Sequence, residues 1–167
     1  LGIVRWDGAT AGSSSVAGAD GTYGIVKSGF AAVDMASTSV AFKVTVLSAD
    51  QGFPFTLQVF SGDNWSEITL LSSALGTFNI PFAAFFGAND ADFSDGFTRT
   101  VHGTGVDFFG VTALQAIINP GGAVEAVDRT IDLAETVQVP EPGSLALVGL
   151  ALIGVGAARR AVAKKKA

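Results

Sequence analysis

The strongest constraint on the fold is an alternation of apolar and polar residues in several short segments. In residues 40–47 the even-numbered positions are Val, Phe, Val and Val, and Lys43 and Thr45 lie between them. Residues 55–59 repeat the pattern, and there we expect Thr56 and Gln58 to point outward. A period of two is typical of strands with one buried face, because successive side chains of a strand point to opposite sides. No segment before residue 139 has a helical period of useful length.

Turn-forming residues separate two of the alternating segments. The sequence Ser61-Gly62-Asp63-Asn64 favours a turn, and a further apolar segment follows at residues 65–71. Together they predict a β-hairpin. Further strands are predicted at residues 24–26, 77–82, 106–109, 113–118 and 127–133, and residues 1–38, rich in Gly, Ser and Ala, are expected to hold an edge strand with long loops.

Seven to nine short strands with turns between them indicate an all-β fold, an antiparallel β-sandwich that is jelly-roll-like. The 13 phenylalanines would fill the space between two sheets. The chain has no cysteine, so it holds neither a disulfide nor a thiolate metal site. We therefore expect residues 1–138 to form one domain that is large enough to bury a core without covalent cross-links.

Charge divides the chain into two parts. Residues 1–141 carry five basic residues against all fifteen acidic ones, so their net charge is −10. Residues 142–167 carry five basic residues and no acidic one, a net charge of +5. The acidic body argues against nucleic acid as a partner, because binding to phosphates needs basic patches.

The C-terminal part begins with Pro140-Glu141-Pro142, which predicts an extended, exposed linker. An uncharged apolar run follows, and as a helix it would be roughly 22 Å long, short for a full membrane span. Arg159 and Arg160 come directly after it. Because positive charge stays on the cytoplasmic side, the body would lie outside the cytoplasm. A buried helix of the domain and an ordinary tail anchor are the alternatives.

These three parts, in this order, resemble the PEP-CTERM sorting signal. The resemblance implies an exported bacterial protein whose partner is an exosortase, a membrane cysteine protease that recognises Pro140, Glu141 and Pro142 and cleaves there. The apolar run would hold the protein transiently in the inner membrane, and Arg159 and Arg160 would act as a stop.

The resemblance divides the chain into an ectodomain and a tail. The ectodomain covers residues 1–138. The sorting tail has a motif and linker at 139–144, a short transmembrane helix at 145–158 and a basic end at 159–167. Residues 107–118 and 128–132 are also similar to the closing strands of sandwich domains in many PEP-CTERM proteins. No basic and apolar leader precedes the body at Leu1, so either an export signal has been removed or the sequence is a fragment.

An acidic segment is the candidate metal site. Asp90, Asp92, Ser94 and Asp95 offer oxygen ligands of the kind that Ca²⁺ prefers. They do not form an EF-hand, which needs Gly at its sixth position, where this chain has Asp95. A calcium site of another type and a solvated acidic turn are the two interpretations. Weaker candidate ligands are Asp107, Asp128 and Asp132.

Two aromatic residues complete the candidates. Trp65, beside the predicted turn, either stacks on a sugar ring or packs within the sheet. His102 is the only histidine, and without cysteine it has no thiol to activate. We interpret it as a loop residue, and no Gly-x-Ser-x-Gly motif occurs. The sequence therefore predicts a protein that is not an enzyme.

The function expected from these observations is that of a surface or extracellular-matrix protein, sorted by an exosortase. It would have a structural or adhesive role in a polysaccharide-rich biofilm, with extracellular polysaccharide as a candidate partner. The alternative is a carbohydrate-binding module that uses Trp65, with or without calcium.

Overall fold

The computed structural model describes residues 1–8, 17–49, 52–72, 76–92, 96–120 and 129–138. Within these ranges the chain forms eight strands, one short 3₁₀ helix and no α-helix. The strands are β1 (Gly2–Trp6), β2 (Ser39–Ala49), β3 (Phe53–Ser61), β4 (Asn64–Ser72), β5 (Gly76–Pro81), β6 (Phe97–His102), β7 (Ala113–Ile118) and β8 (Arg129–Gln138), with the 3₁₀ helix Phe82–Phe85 directly after β5.

The strands form two antiparallel sheets. One has the order β1-β7-β3-β4-β6, and the other has the order β5-β2-β8. A single cluster of buried apolar residues takes members from both sheets, among them Phe42 and Ile80 from the smaller sheet and Phe55, Leu57 and Ile68 from the larger one. The expected all-β, antiparallel architecture is confirmed, and the two sheets share one core. The finer jelly-roll comparison stays a prediction.

The predicted hairpin is confirmed. β3 and β4 pair from Phe53↔Ser72 to Ser61↔Asn64, which leaves Gly62 and Asp63 as a two-residue turn. Gly62 has a φ of 63°, and glycine occupies this first central position in type II′ hairpin turns because it adopts positive φ without strain.

Two predicted strands were wrong. Residues 24–26 and 106–109 are irregular, although both contain buried apolar side chains. Neither segment pairs with a neighbouring strand: the amide of Val26 donates to Asp7, and the amide of Val106 donates to Ser66 Oγ. Apolar content alone predicted these strands, but no sheet edge pairs with them.

Thr56 and Gln58 lie on the face of β3 opposite the shared core, as expected, but that face is not exposed to solvent. Both side chains are buried, and Gln58 has an exposed fraction of 0%. The outer face of the larger sheet is covered by residues 17–30, whose Ile25 packs in a second apolar cluster with Phe60 and Trp65. β3 is therefore buried on both faces. At the start of β2, Val40 is exposed rather than buried.

Candidate functional site

The last strand of the body ends directly before the predicted sorting tail. Gln138 is the last residue of β8 and pairs with Ser39, the first residue of β2. The Ser39 hydroxyl donates a hydrogen bond of 2.8 Å to the hydroxyl of Thr136 and so fastens the two strand ends together. The predicted motif and stop residues lie outside the described residues: Pro140, Glu141, Pro142, Arg159 and Arg160.

An apolar groove of about 620 Å³ lies directly beside this exit point. Its walls come from three separate segments: the start of β2, the 3₁₀ helix with the residue after it, and the loop before β7. The residues that form it include Ser39, Val40, Phe82, Phe86, Phe108 and Phe109.

Stacked phenylalanines form the floor of the groove. The rings of Phe82 and Phe108 are nearly parallel, with centroids 4.0 Å apart, and Phe85 meets Phe108 edge-on at 5.5 Å. The carbonyl of Phe108 accepts hydrogen bonds from the amides of Met35 and Ala36. Offset and edge-on aromatic contacts add to the stability from apolar burial, so the floor is held firmly in place.

The rim of the groove, in contrast, presents aromatic side chains to solvent. Phe86 is 52% exposed and Phe109 is 67% exposed. Phe109 lies in a turn where its amide donates to the carboxylate of Asp107. That turn is fixed to the hairpin, because the hydroxyl of Ser61 donates to the carbonyl of Asp107. The sequence did not predict this groove, since its parts are far apart along the chain.

Trp65 is buried in the sheet, with an exposed fraction of only 2%. Phe60 on β3 stacks against the indole at 5.2 Å, and His102 on β6 stacks against it at 3.7 Å. These are its two cross-strand neighbours. Neither ring face is free for a sugar, so the position matches the sheet-packing alternative. The expectation that His102 lies in a loop was wrong, because it is the last residue of β6.

The acidic segment forms a turn beside an arginine. The amide of Asp92 donates to the carboxylate of Asp90, and the backbones of Asp90 and Arg99 are joined by two hydrogen bonds. Arg99 and Asp90 line the same shallow cavity, and the Arg99 guanidinium donates to the carbonyls of Ala84 and Ala88. Asp95, Asp128 and the side chain of Asp132 lie outside the described residues. Over the ranges that the structure describes, no three His, Cys, Asp or Glu side chains cluster as a metal site would require.

A row of polar side chains runs beneath residues 17–30, and no sequence pattern predicted it. Gln58 pairs across strands with Gln115 on one side and with Glu67 on the other. Its amide nitrogen donates to the Glu67 carboxylate at 2.6 Å and to the carbonyl of Gly21 at 3.2 Å. Burial raises the pKa of Glu67, because removal from water penalises the charged form more than the hydrogen bond from Gln58 favours it.

The C-terminal tail is the part of the chain that matches a known motif. The model of the PEP-CTERM protein-sorting motif matches residues 138–160. The chain carries a PEP-CTERM protein-sorting motif. No curated protein and no solved structure matches the chain.

The PEP-CTERM motif starts at the final residue of β8 and contains all five predicted motif and stop residues, Pro140, Glu141, Pro142, Arg159 and Arg160. It implies export, transient anchoring in a membrane and processing by an exosortase. In the described part of the chain no helix has the length and apolar character to cross a membrane. The short transmembrane helix expected at 145–158 falls outside the described residues and stays a prediction.

Proposed function

We propose that this chain is a non-enzymatic β-sandwich protein, which exosortase processing delivers to the cell surface or the extracellular matrix. There it has a structural or adhesive role in a polysaccharide-rich biofilm. The observation that carries the proposal is the position of the PEP-CTERM motif, which begins where the last strand ends. Cleavage at Pro140–Pro142 would remove the tail and leave all eight strands intact.

The construction of the body supports a structural role. The central strand β3 is buried on both faces, and two apolar clusters hold the larger sheet to the smaller sheet and to residues 17–30. The acidic balance of the body favours solubility outside the cell. His102, the one histidine, stacks on Trp65 in a sheet, which is a packing role rather than one of proton transfer.

The carbohydrate-binding alternative depended on an accessible Trp65 indole. Phe60 and His102 stack against that indole, so it is not accessible to a sugar ring. The amide of Asp92 donates to the carboxylate of Asp90, and this local hydrogen bond favours the solvated-turn interpretation over a calcium site. We therefore favour the structural and adhesive role over the binding module.

The test compares biofilms of cells that make the wild-type chain with those of cells that make Glu141→Ala, at equal expression. We expect the wild-type protein in the matrix fraction and the variant in the membrane fraction, with a weaker biofilm. The exposed substitution Asp63→Ala, in the hairpin turn, is the matched control. Equal matrix association of wild type and Glu141→Ala would contradict the proposal, and specific binding of the full chain on a glycan array would favour the binding module.

A further inference from the structure

We infer that the groove end of the body rests on the outer surface of the lipid bilayer while the sorting tail is inserted, with Phe86 and Phe109 in the bilayer interface. The inference deepens the proposed function and rests on it only for the insertion of the tail. The docking surface is formed by Val40, Phe86 and Phe109, and it contacts a zwitterionic lipid surface.

The connection between the body and the apolar run of the tail is short. Only residues 139–144 separate Gln138 from the apolar run of the tail, and six residues span at most about 20 Å. Gln138 pairs with Ser39, which itself lines the groove. An inserted tail therefore keeps this end of the body within about 20 Å of the lipid.

The rim of the groove exposes apolar side chains to solvent. Phe86 and Phe109 are more than half exposed, and Val40 is 44% exposed. Exposed apolar residues that gather in one place mark sites of interaction with proteins or membranes, whereas single ones are ordinary. The ring of Phe86 meets Phe108 edge-on at 5.7 Å, and the amide of Phe109 is held by Asp107. These contacts already restrict both residues, so less conformational freedom is lost when they enter an apolar environment.

The linker raises the apparent affinity of the body surface for the lipid surface. A short linker raises the local concentration of one surface at another, so a contact that is weak in free solution is occupied when the two are linked. Two exposed phenylalanines are a modest surface, and they are sufficient only because the tail already holds the body at the membrane.

The negative charge of the body favours a zwitterionic lipid surface over an anionic one. The body carries a net charge of −10 over residues 1–141, and Asp107 lies in the groove itself. An anionic surface would repel such a body, within a distance set by the ionic strength. The docking surface therefore suits a zwitterionic bilayer, and phosphatidylcholine vesicles are the appropriate probe.

The chain has no cysteine, so single cysteines can be labelled without background. Phe86→Cys and Phe109→Cys, each carrying an environment-sensitive dye, are placed in the full-length chain, which is reconstituted in phosphatidylcholine vesicles. Leu71→Cys is the matched control, because Leu71 is 58% exposed and lies about 23 Å along β4 from the hairpin turn. Thermal midpoints close to wild type establish that all three variants are folded.

We expect the dyes at positions 86 and 109 to brighten several-fold in vesicles and to be quenched by spin-labelled lipid, while the dye at 71 stays accessible to aqueous iodide. Equal iodide access at all three positions in chains that float with the vesicles would overturn the inference and leave the sorting proposal standing. Failure of the chains to float would overturn both. Brightening that rises with protein density, without quenching by labelled lipid, would also overturn it and indicate a second copy of the chain instead.

Discussion

Gln138 pairs with Ser39, so the final strand of the body ends against the first residue of β2. The sorting motif begins at this same residue. β8 is the outer strand of the smaller sheet, and the chain therefore leaves the body at a sheet edge. The predicted cleavage site at Pro140–Pro142 lies beyond the last residue of β8, so cleavage there leaves all eight strands uncut.

Trp65 tests the second apolar cluster. Trp65→Ala is expected to lower the free energy of unfolding by about 3–5 kcal/mol, as for other buried tryptophans. His102→Ala removes only one stacking partner from a partly exposed position, and it should cost about 0.5–1.5 kcal/mol. Urea unfolding monitored by circular dichroism measures both. Equal small losses would show that the indole is not packed as described.

Glu67 tests the buried polar row. Its pKa is raised in the folded state by burial, so the folded protein binds this proton more tightly than the unfolded chain does. The Glu67 carboxyl therefore lowers the free energy of unfolding as the pH rises from about 4, the ordinary pKa of a glutamate, through the raised pKa of the folded state. Glu67→Gln keeps an acceptor for Gln58 but cannot ionise. We expect it to raise the thermal midpoint at pH 8 and to leave it nearly unchanged near pH 4.

Asp20 supplies a control of opposite sign for that measurement. The hydrogen bond from Lys27, with a second from Thr22, holds the pKa of Asp20 well below its usual range. Its contribution is present above the ordinary pKa of an aspartate and is lost as the pH falls through the lowered value. Asp20→Asn should therefore lower the thermal midpoint at pH 7 and have less effect in acid. A Glu67→Gln effect of this same sign would contradict the burial argument.

Gly29 tests how residues 17–30 are held on the sheet. A methyl group at this position would overlap the carbonyl oxygen of Asp7, so Gly29→Ala must separate the segment from the end of β1. We expect faster amide exchange at Tyr23 and Ile25, the residues of this segment that are buried against the sheet. Gly110→Ala is the control, since its methyl group would meet Asp107 at an ordinary 3.9 Å. Equal exchange in the two variants would refute the close approach.

Calcium tests the acidic turn. Because the Asp90 carboxylate already accepts from Asp92 and shares its cavity with Arg99, we expect the thermal midpoint to be the same with Ca²⁺ and with EDTA. Differential scanning calorimetry measures this directly. A midpoint that rises with Ca²⁺ and falls with EDTA would favour the calcium site.

The parts of the fold that follow from local pattern were predictable. The alternation in residues 40–47 located β2, and the sequence of Ser61 to Asn64 located the hairpin turn. β7 has the bounds that its apolar run predicted, Ala113–Ile118. The alternation, the turn residues and the apolar run are all patterns of residues close together in the sequence. They can therefore be read without knowing which distant residues are in contact.

Contacts between distant residues account for the rest. Thr56 and Gln58 are polar residues on an alternating strand, and only the cover of residues 17–30 buries them. β6 was missed because acidic and turn-forming residues precede it and its own alternation is weak, with Arg99 between Phe97 and Val101. The groove combines segments near positions 40, 86 and 109, which no local pattern connects. The sorting motif, in contrast, is a linear signal, and its presence was predicted without any knowledge of distant contacts.

Intact-mass spectrometry of the surface-exposed protein tests the central claim most directly. In cells with an active exosortase, we expect a product that has lost the tail at Pro140–Pro142, and cells with an inactivated exosortase should retain the full-length mass. Full-length protein at the surface of cells with the active enzyme would contradict the account.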